Sequence, residues 1–269
     1  MPEQTDTERP EFASLEVARQ GRVLLLTMND PATRNALGNG MMARGREALE
    51  EAAHDTGIGA VVLTGAGGAF SSGGHLTQLY DHAGKSRSEN RESIERFHGW
   101  VRIMRECPKP IVAAVEGPAA GAGFSLALAC DLIVAAADAR FLTAYVRVGL
   151  NADGGASISL ARALPPQLCA ELMLDGGPVD PQRLQQFGVV NRIAEPGRAL
   201  DDALRWAATL AEGPAAAMGR AKRLMELAYG NFATQLARES DLFVEALHHP
   251  EAREGITAFF EKRPPVFPR

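Results

Sequence analysis

The sequence predicts a mixed α/β core followed by an all-helical tail. Three observations carry this. Ile111 to Val115 (IVAAV) is a short apolar run rich in β-branched residues, the pattern of a buried strand; turn residues Glu116-Gly117-Pro118 follow, then an Ala-rich run from Gly121 to Asp131 long enough for a buried helix. A second such strand, Gly59 to Thr64 (GAVVLT), opens into another run of small residues. From Ala199 to Lys262 the apolar spacing is helical, broken at Gly213-Pro214, Gly230 and Pro250, which puts a boundary near residue 198.

The remaining elements follow in order. Residues 1–11 (MPEQTDTERPE) are polar and are expected to be disordered, not a signal peptide. Phe12 to Arg19 and Arg22 to Met28 read as two strands of a hairpin turning at Gln20-Gly21, and Met41 to His54 has helical apolar spacing. Residues 80–92 (YDHAGKSRSENRE) read as a mobile loop, and Ser93 to Cys107 as a helix with Ile94, Phe97, Val101 and Met104 on one face. Pro108 and Pro110 stop it. Short strands are expected at Leu132 to Ala136, Arg140 to Leu142 and Val189 to Ile193. The turn Gly149 to Gly155 precedes a helix through Leu164.

Composition narrows the function classes. The chain has 269 residues, 46% of them hydrophobic, with a formal net charge of −5 and no basic run, which argues against nucleic acid and anionic membranes as partners. No apolar run approaches a membrane span. Cys107, Cys130 and Cys169 are scattered without a C-x-x-C pair, the pattern of reduced thiols in a cytoplasmic protein. The histidines lack metal-site spacing, so no metal is expected.

The chemistry-bearing features are the two small-residue turns. In each, a strand feeds a bend whose bare backbone lets a ligand reach unpaired N–H groups: Ser72-Gly73-Gly74 after the second strand, and Ala119 to Gly123 after the first. A helix start adds positive potential, which suits a developing negative oxygen. The bland reading is close helix packing. A nucleotide loop is excluded, because Gly65-x-Gly67 has Phe70 where the third glycine should stand and no Gly-Lys-Ser/Thr follows.

Several motifs in order resemble the crotonase, or enoyl-CoA hydratase/isomerase, family. They are Arg34-Asn35-Ala36-Leu37; Leu63-Thr64-Gly65 leading to Ala69-Phe70-Ser71-Ser72-Gly73-Gly74; Val115-Glu116-Gly117 through Gly121-Ala122-Gly123 to Cys130-Asp131; Gly149-Leu150 to Asp153-Gly154-Gly155; and the ending Ala258 to Pro265. The resemblance spans about Phe12 to Phe267. It implies a superhelical core of ββα units over 12–198, a helical trimerisation region over 199–269, a homotrimer or dimer of trimers, and a coenzyme A thioester as substrate with no other cofactor. It also implies an oxyanion hole from the backbone N–H groups of Gly74 and Ala122. Arg34, Ser72 and Lys262 fall where the substrate's coenzyme A would be bound.

Two departures redirect the chemistry. The resemblance places a glutamate pair for handling water at positions that here hold Ser125 and Tyr145, so ordinary hydration loses its acid/base pair. His75 replaces the usual Asp, with a structural hydrogen-bonding role expected of it. Asp153 matches a carboxylate that acts as base in family isomerases, and equally the nucleophile of 4-chlorobenzoyl-CoA dehalogenase, whose pattern also has a His at His98 and an aromatic at Tyr145. Each has a structural reading beside the chemical one: Asp153 as a helix N-cap, His98 as a core-edge residue, Tyr145 as packing. The resemblance thus leaves an isomerase using Asp153, a dehalogenase or hydrolase using Asp153 with His98, and a non-catalytic acyl-CoA binder.

Overall fold

The computed structural model describes residues 14–75, 78, 86–228, 250, 251, 254, 258 and 261–268. The expected disordered N-terminus, the tail break at Gly230 and residues 80–85 of the expected loop lie outside them. The strands are β1 (Ser14–Gln20), β2 (Val23–Asn29), β3 (Ala60–Gly65), β4 (Ile111–Val115), β5 (Pro118–Ala120), β6 (Leu132–Ala136), β7 (Arg140–Leu142), β8 (Pro178–Val179) and β9 (Arg192–Ala194). The helices are α1 (Asn39–His54), α2 (Arg87–Glu106), α3 (Ala122–Ala129), α4 (Ala156–Ala163), α5 (Pro166–Asp175), α6 (Pro181–Gln186), α7 (Ala199–Ala211) and α8 (Ala215–Leu227).

A six-stranded sheet in the order β1-β2-β3-β4-β6-β9 forms the centre. β1 and β2 are the expected antiparallel hairpin, with Gln20 opposite Val23. Every later pairing in this sheet is parallel. All five residues of β4 are buried, as are the first five of β3, so these strands read as unbroken apolar runs without alternation. A small second sheet, β5-β7-β8, lies beyond the carboxyl end of β4. The carboxyl ends of β3 and β4 are therefore where the two small-residue bends emerge. Ligands of parallel α/β sheets characteristically bind at that edge.

Helices cover the sheet. α7 presents Ala199, Ala203, Ala207 and Ala211, all buried, as a small-residue stripe against β3, β4 and β6. The first helix of the tail thus forms one wall of the core. α8 is joined to the sheet by a buried ion pair: Lys222 Nζ lies 2.7 Å from Asp131 Oδ2 and donates to the carbonyl oxygens of Met104 (2.9 Å) and Lys109 (3.2 Å). Asp131 Oδ2 also accepts from the Ile111 amide at 2.8 Å, locking the start of β4. Burial pushes the Asp131 carboxyl above its ordinary range, with Lys222 pulling the other way.

Three boundaries differ from expectation, each for a local reason. α2 starts at Arg87, six residues before Ser93, because Ser86 and Glu89 form a reciprocal capping box. The last strand runs 192–194, not 189–193: Asn191 pairs with Ile133 through both its amide (2.9 Å) and its side-chain oxygen (2.7 Å), so strand pairing begins only after it. Pro118–Ala120, read as turn and loop, forms a short strand because β7 supplies a parallel partner. The three cysteines are free thiols, and burial raises those of Cys107 and Cys130. Among the described residues no helix is long and apolar enough to cross a membrane, and no cluster of three metal-ligating side chains occurs.

Replacing Lys222 with Met leaves the Asp131 carboxylate buried without its counter-charge. Urea unfolding should show a loss of about 3–5 kcal/mol, the range for breaking one side of a buried pair. A change below ~1 kcal/mol would mean that the pair does not hold α8 to the sheet.

Candidate active site

The site is built around a buried amide. Asn35, fully buried with φ +59°, donates from Nδ2 to the carbonyls of Ala69 (2.7 Å) and Ala66 (2.9 Å) and accepts from the Asp30 amide at 2.8 Å. It closes the bend after β3 onto the loop 30–37. Ser71 continues the seam: its hydroxyl donates to Asn35 O at 2.7 Å and accepts from the Gly73 amide at 3.1 Å. On the other side, Ala120 N donates to Ser71 O at 2.9 Å, and Ser71 forms a parallel bridge with Ala119. The two bends are thus hydrogen-bonded to each other.

Glycine is required where they touch. At Gly73, φ is +87° and an added Cβ would lie 2.4 Å from Ala120 O and 3.0 Å from Ala122 N. At Gly123 it would lie 2.5 Å from Ser71 O. Beside this seam a cavity of about 100 Å³ is lined by Leu37, Met42, Gly74, Phe97, Ala122 and Asp153, among others. Ala122 is the first residue of α3, so its N–H has no partner inside the helix. Among the described residues, neither the Gly74 nor the Ala122 amide donates to a protein acceptor. Two residues with unspent N–H groups, one from each of two adjoining bends, therefore line one cavity. A hollow of about 540 Å³ between Arg22, Pro108, Ala211 and Pro265 is larger, but it sits at the opposite, amino edge of the strands, away from both bends.

Asp153 is the one carboxylate among the described residues lining that cavity. The structural alternative, an N-cap, does not form: α4 begins at Ala156, Gly155 occupies the cap with φ +79°, and no side chain caps it. The carboxylate turns instead to Tyr145, whose hydroxyl donates to Oδ1 at 2.6 Å. Ser125 Oγ lies 2.8 Å from the Tyr145 hydroxyl and donates to the Asp153 carbonyl at 3.0 Å. The two residues standing in the glutamate positions thus hold Asp153. Burial, and then the Asp153 charge, push the Tyr145 hydroxyl up, so it remains a donor. Asp153 Oδ2 has no partner among the described residues.

His98 packs beside this group without lining the cavity. Its Nε2 accepts from the Gly154 amide at 3.3 Å, and Nδ1 faces Glu95 at 4.0 Å. The lone pair that would activate a water is spent on the turn carrying Asp153. Ser72 Oγ donates to Thr33 O at 2.8 Å, so its hydroxyl joins two loops. Arg34 is exposed, and its carbonyl accepts from the Ser72 amide at 2.8 Å. Lys262 is exposed near the chain end and does not border the cavity of its own chain. His75 makes no structural hydrogen bond among the described residues, contrary to expectation: its Nδ1 is buried and unpaired.

A sequence profile of the enoyl-CoA hydratase/isomerase family matches residues 18–269. The chain belongs to that family. Among solved structures, an enoyl-CoA hydratase from Polaromonas sp. JS666 superposes with a TM-score of 0.93 at 44% identity, covering 95% of this chain and all of that one. Its architecture is accordingly crotonase-like. Among relatives, the 2,3-dehydroadipyl-CoA hydratase of Escherichia coli K12 is 35% identical over 95% of this chain and 99% of its own. The 1,2-epoxyphenylacetyl-CoA isomerase of the same organism is 33% identical over 91% and 94%. Family membership implies an acyl-CoA substrate.

The Tyr145 hydroxyl gives a direct test of the site's electrostatics. Spectrophotometric titration of wild type and Tyr145→Phe should yield the same phenolate absorbance through about pH 10, where an ordinary tyrosine is half-ionised. An excess in the wild type at that pH would mean that Tyr145 is neither buried nor facing the carboxylate.

Proposed function

We propose that this protein is an isomerase of acyl-CoA thioesters, with Asp153 as the proton carrier. One observation carries this reading: among the described residues the cavity's single carboxylate is fixed by Tyr145 beside two residues with unspent backbone amides, while the positions of the hydratase glutamates hold no acid. The thioester oxygen would accept from the N–H groups of Gly74 and Ala122. Asp153 Oδ2 would take a proton from a carbon adjacent to the conjugated system, and the electrons would move onto that oxygen as an enolate. Delivery of a proton from the Asp153 carboxyl, which exchanges with solvent while the enolate is held, to a different carbon shifts the double bond and restores the carboxylate. The reaction consumes no water and needs no cofactor beyond the coenzyme A of its substrate.

The relatives' names include both a hydratase and an isomerase, which is why the side chains must decide. The dehalogenase-like alternative requires His98 to activate water, and His98 Nε2 is engaged with Gly154. A homotrimer or dimer of trimers in the cytoplasm belongs to the same proposal. The exposed apolar side chains Val146, Val148 and Leu150 supply surface that such an assembly would bury.

Two variants test the mechanism. In deuterated buffer, wild type should exchange deuterium into a 3-enoyl-CoA and convert it to the 2-enoyl isomer. Asp153→Asn should lower both rates by about 10²–10⁴-fold, the usual contribution of a general base. Wild-type hydration of crotonyl-CoA without exchange, or a covalent adduct with a halobenzoyl-CoA seen by mass spectrometry, would overturn the reading. So would acyl-CoA binding with neither exchange nor turnover.

Ala122→Pro deletes one amide hydrogen at the first position of a helix, where proline is tolerated. Turnover should fall by about 10²–10³ with the circular dichroism spectrum unchanged. Full activity in that variant would exclude the Ala122 amide as an oxyanion donor.

A further inference from the structure

The acyl cavity has a polar wall that the isomerase chemistry does not use. Besides the apolar residues Leu37, Met42, Ile94 and Phe97 it is lined by His75, Gln78, Asn39 and Ser93. His75 directly follows Gly74. Its Nδ1 is sealed from solvent and has no partner among the described residues. A buried N–H without an acceptor is costlier than a bare lone pair, so the neutral ring carries its proton on Nε2. That leaves Nε2–H as the donor able to meet a bound molecule. Asn39 is oriented by Arg96, whose Nε donates to Asn39 Oδ1 at 3.1 Å. With its oxygen so engaged, Asn39 keeps its NH₂ group for donation. The wall is therefore rich in donors, with a guanidinium behind it.

We infer that His75, supported by Asn39, selects acyl groups that carry a hydrogen-bond-accepting oxygen, a hydroxyl or a carboxylate, over plain alkyl chains. This rests on the acyl-CoA reading above and deepens it. A plain alkyl chain would leave Nε2–H without an acceptor and give the exposed Asn39 amide nothing to bind, whereas an oxygen on the chain satisfies both. Discrimination of this kind, against a partner that leaves donors empty, is stronger than discrimination by shape in an apolar pocket.

Binding of saturated acyl-CoAs, which cannot isomerise, tests this independently of catalysis. Calorimetry would compare butyryl-, 4-hydroxybutyryl- and succinyl-CoA, and hexanoyl-, 6-hydroxyhexanoyl- and adipyl-CoA, with free coenzyme A as reference. Wild type should bind at least one oxygen-bearing member about tenfold or more tighter than the methyl-ended member of equal length. His75→Leu should erase that ratio, and His75→Gln, which keeps a donor, should retain part of it. The hydroxyl and carboxylate arms show which oxygen is preferred. If acyl-CoAs bind but wild type shows no such ratio, or His75→Leu preserves it, the inference fails and the acyl-CoA reading stands. If no acyl-CoA binds better than free coenzyme A, both fail.

Discussion

The site depends on one buried side-chain amide. Asn35 is enclosed in the protein with a left-handed backbone, and it spends its amide group on the carbonyls of the bend after β3. Without it the Ala69 carbonyl would be buried and unpaired, at about 1–3 kcal/mol. Through Ser71 the same network reaches the second bend, so the position of Gly74 and the position of Ala122 are set by one set of hydrogen bonds. Two amides on separate strands can serve one oxygen only if the strands' ends are fixed relative to each other. The parallel pairing of β3 and β4 brings the ends together, and the Asn35–Ser71 seam fixes the last few ångströms.

The carboxylate is arranged by different means. Asp153 sits on a turn whose glycines, Gly154 and Gly155, both take positive φ, and this carries its side chain away from the helix it could have capped. Tyr145 and Ser125 then hold it by hydrogen bonds, and His98 holds the adjoining Gly154 amide. Every side chain singled out for acid–base work except Asp153 thus acts as a support. Among the described residues one oxygen of Asp153 is bound and one has no partner, an arrangement that suits the proton transfer proposed for it.

Much of this was legible beforehand. The buried strands announced themselves as β-branched runs, and the two bends as small residues directly after them. The N-cap reading of Asp153 was reasonable from spacing; it failed because two consecutive left-handed glycines delay the helix, a property that residue types permit without dictating. The start of α2 was missed because a capping box among polar residues resembles a loop unless Ser86 and Glu89 are read as a pair. Asn35 stood within a quoted motif, yet its role was invisible: a buried asparagine differs from a surface one only through partners some thirty residues away. The orphaned nitrogen of His75 likewise exists only once the chain is folded.

Because the groups proposed to meet the thioester oxygen belong to the main chain, nearly any small residue at positions 74 and 122 would supply them. Drift in sequence can therefore rewrite the proton-handling side chains around the cavity while the charge-stabilising half of the machinery stays intact. A lineage built on this plan could exchange one reaction for another without passing through an inactive scaffold.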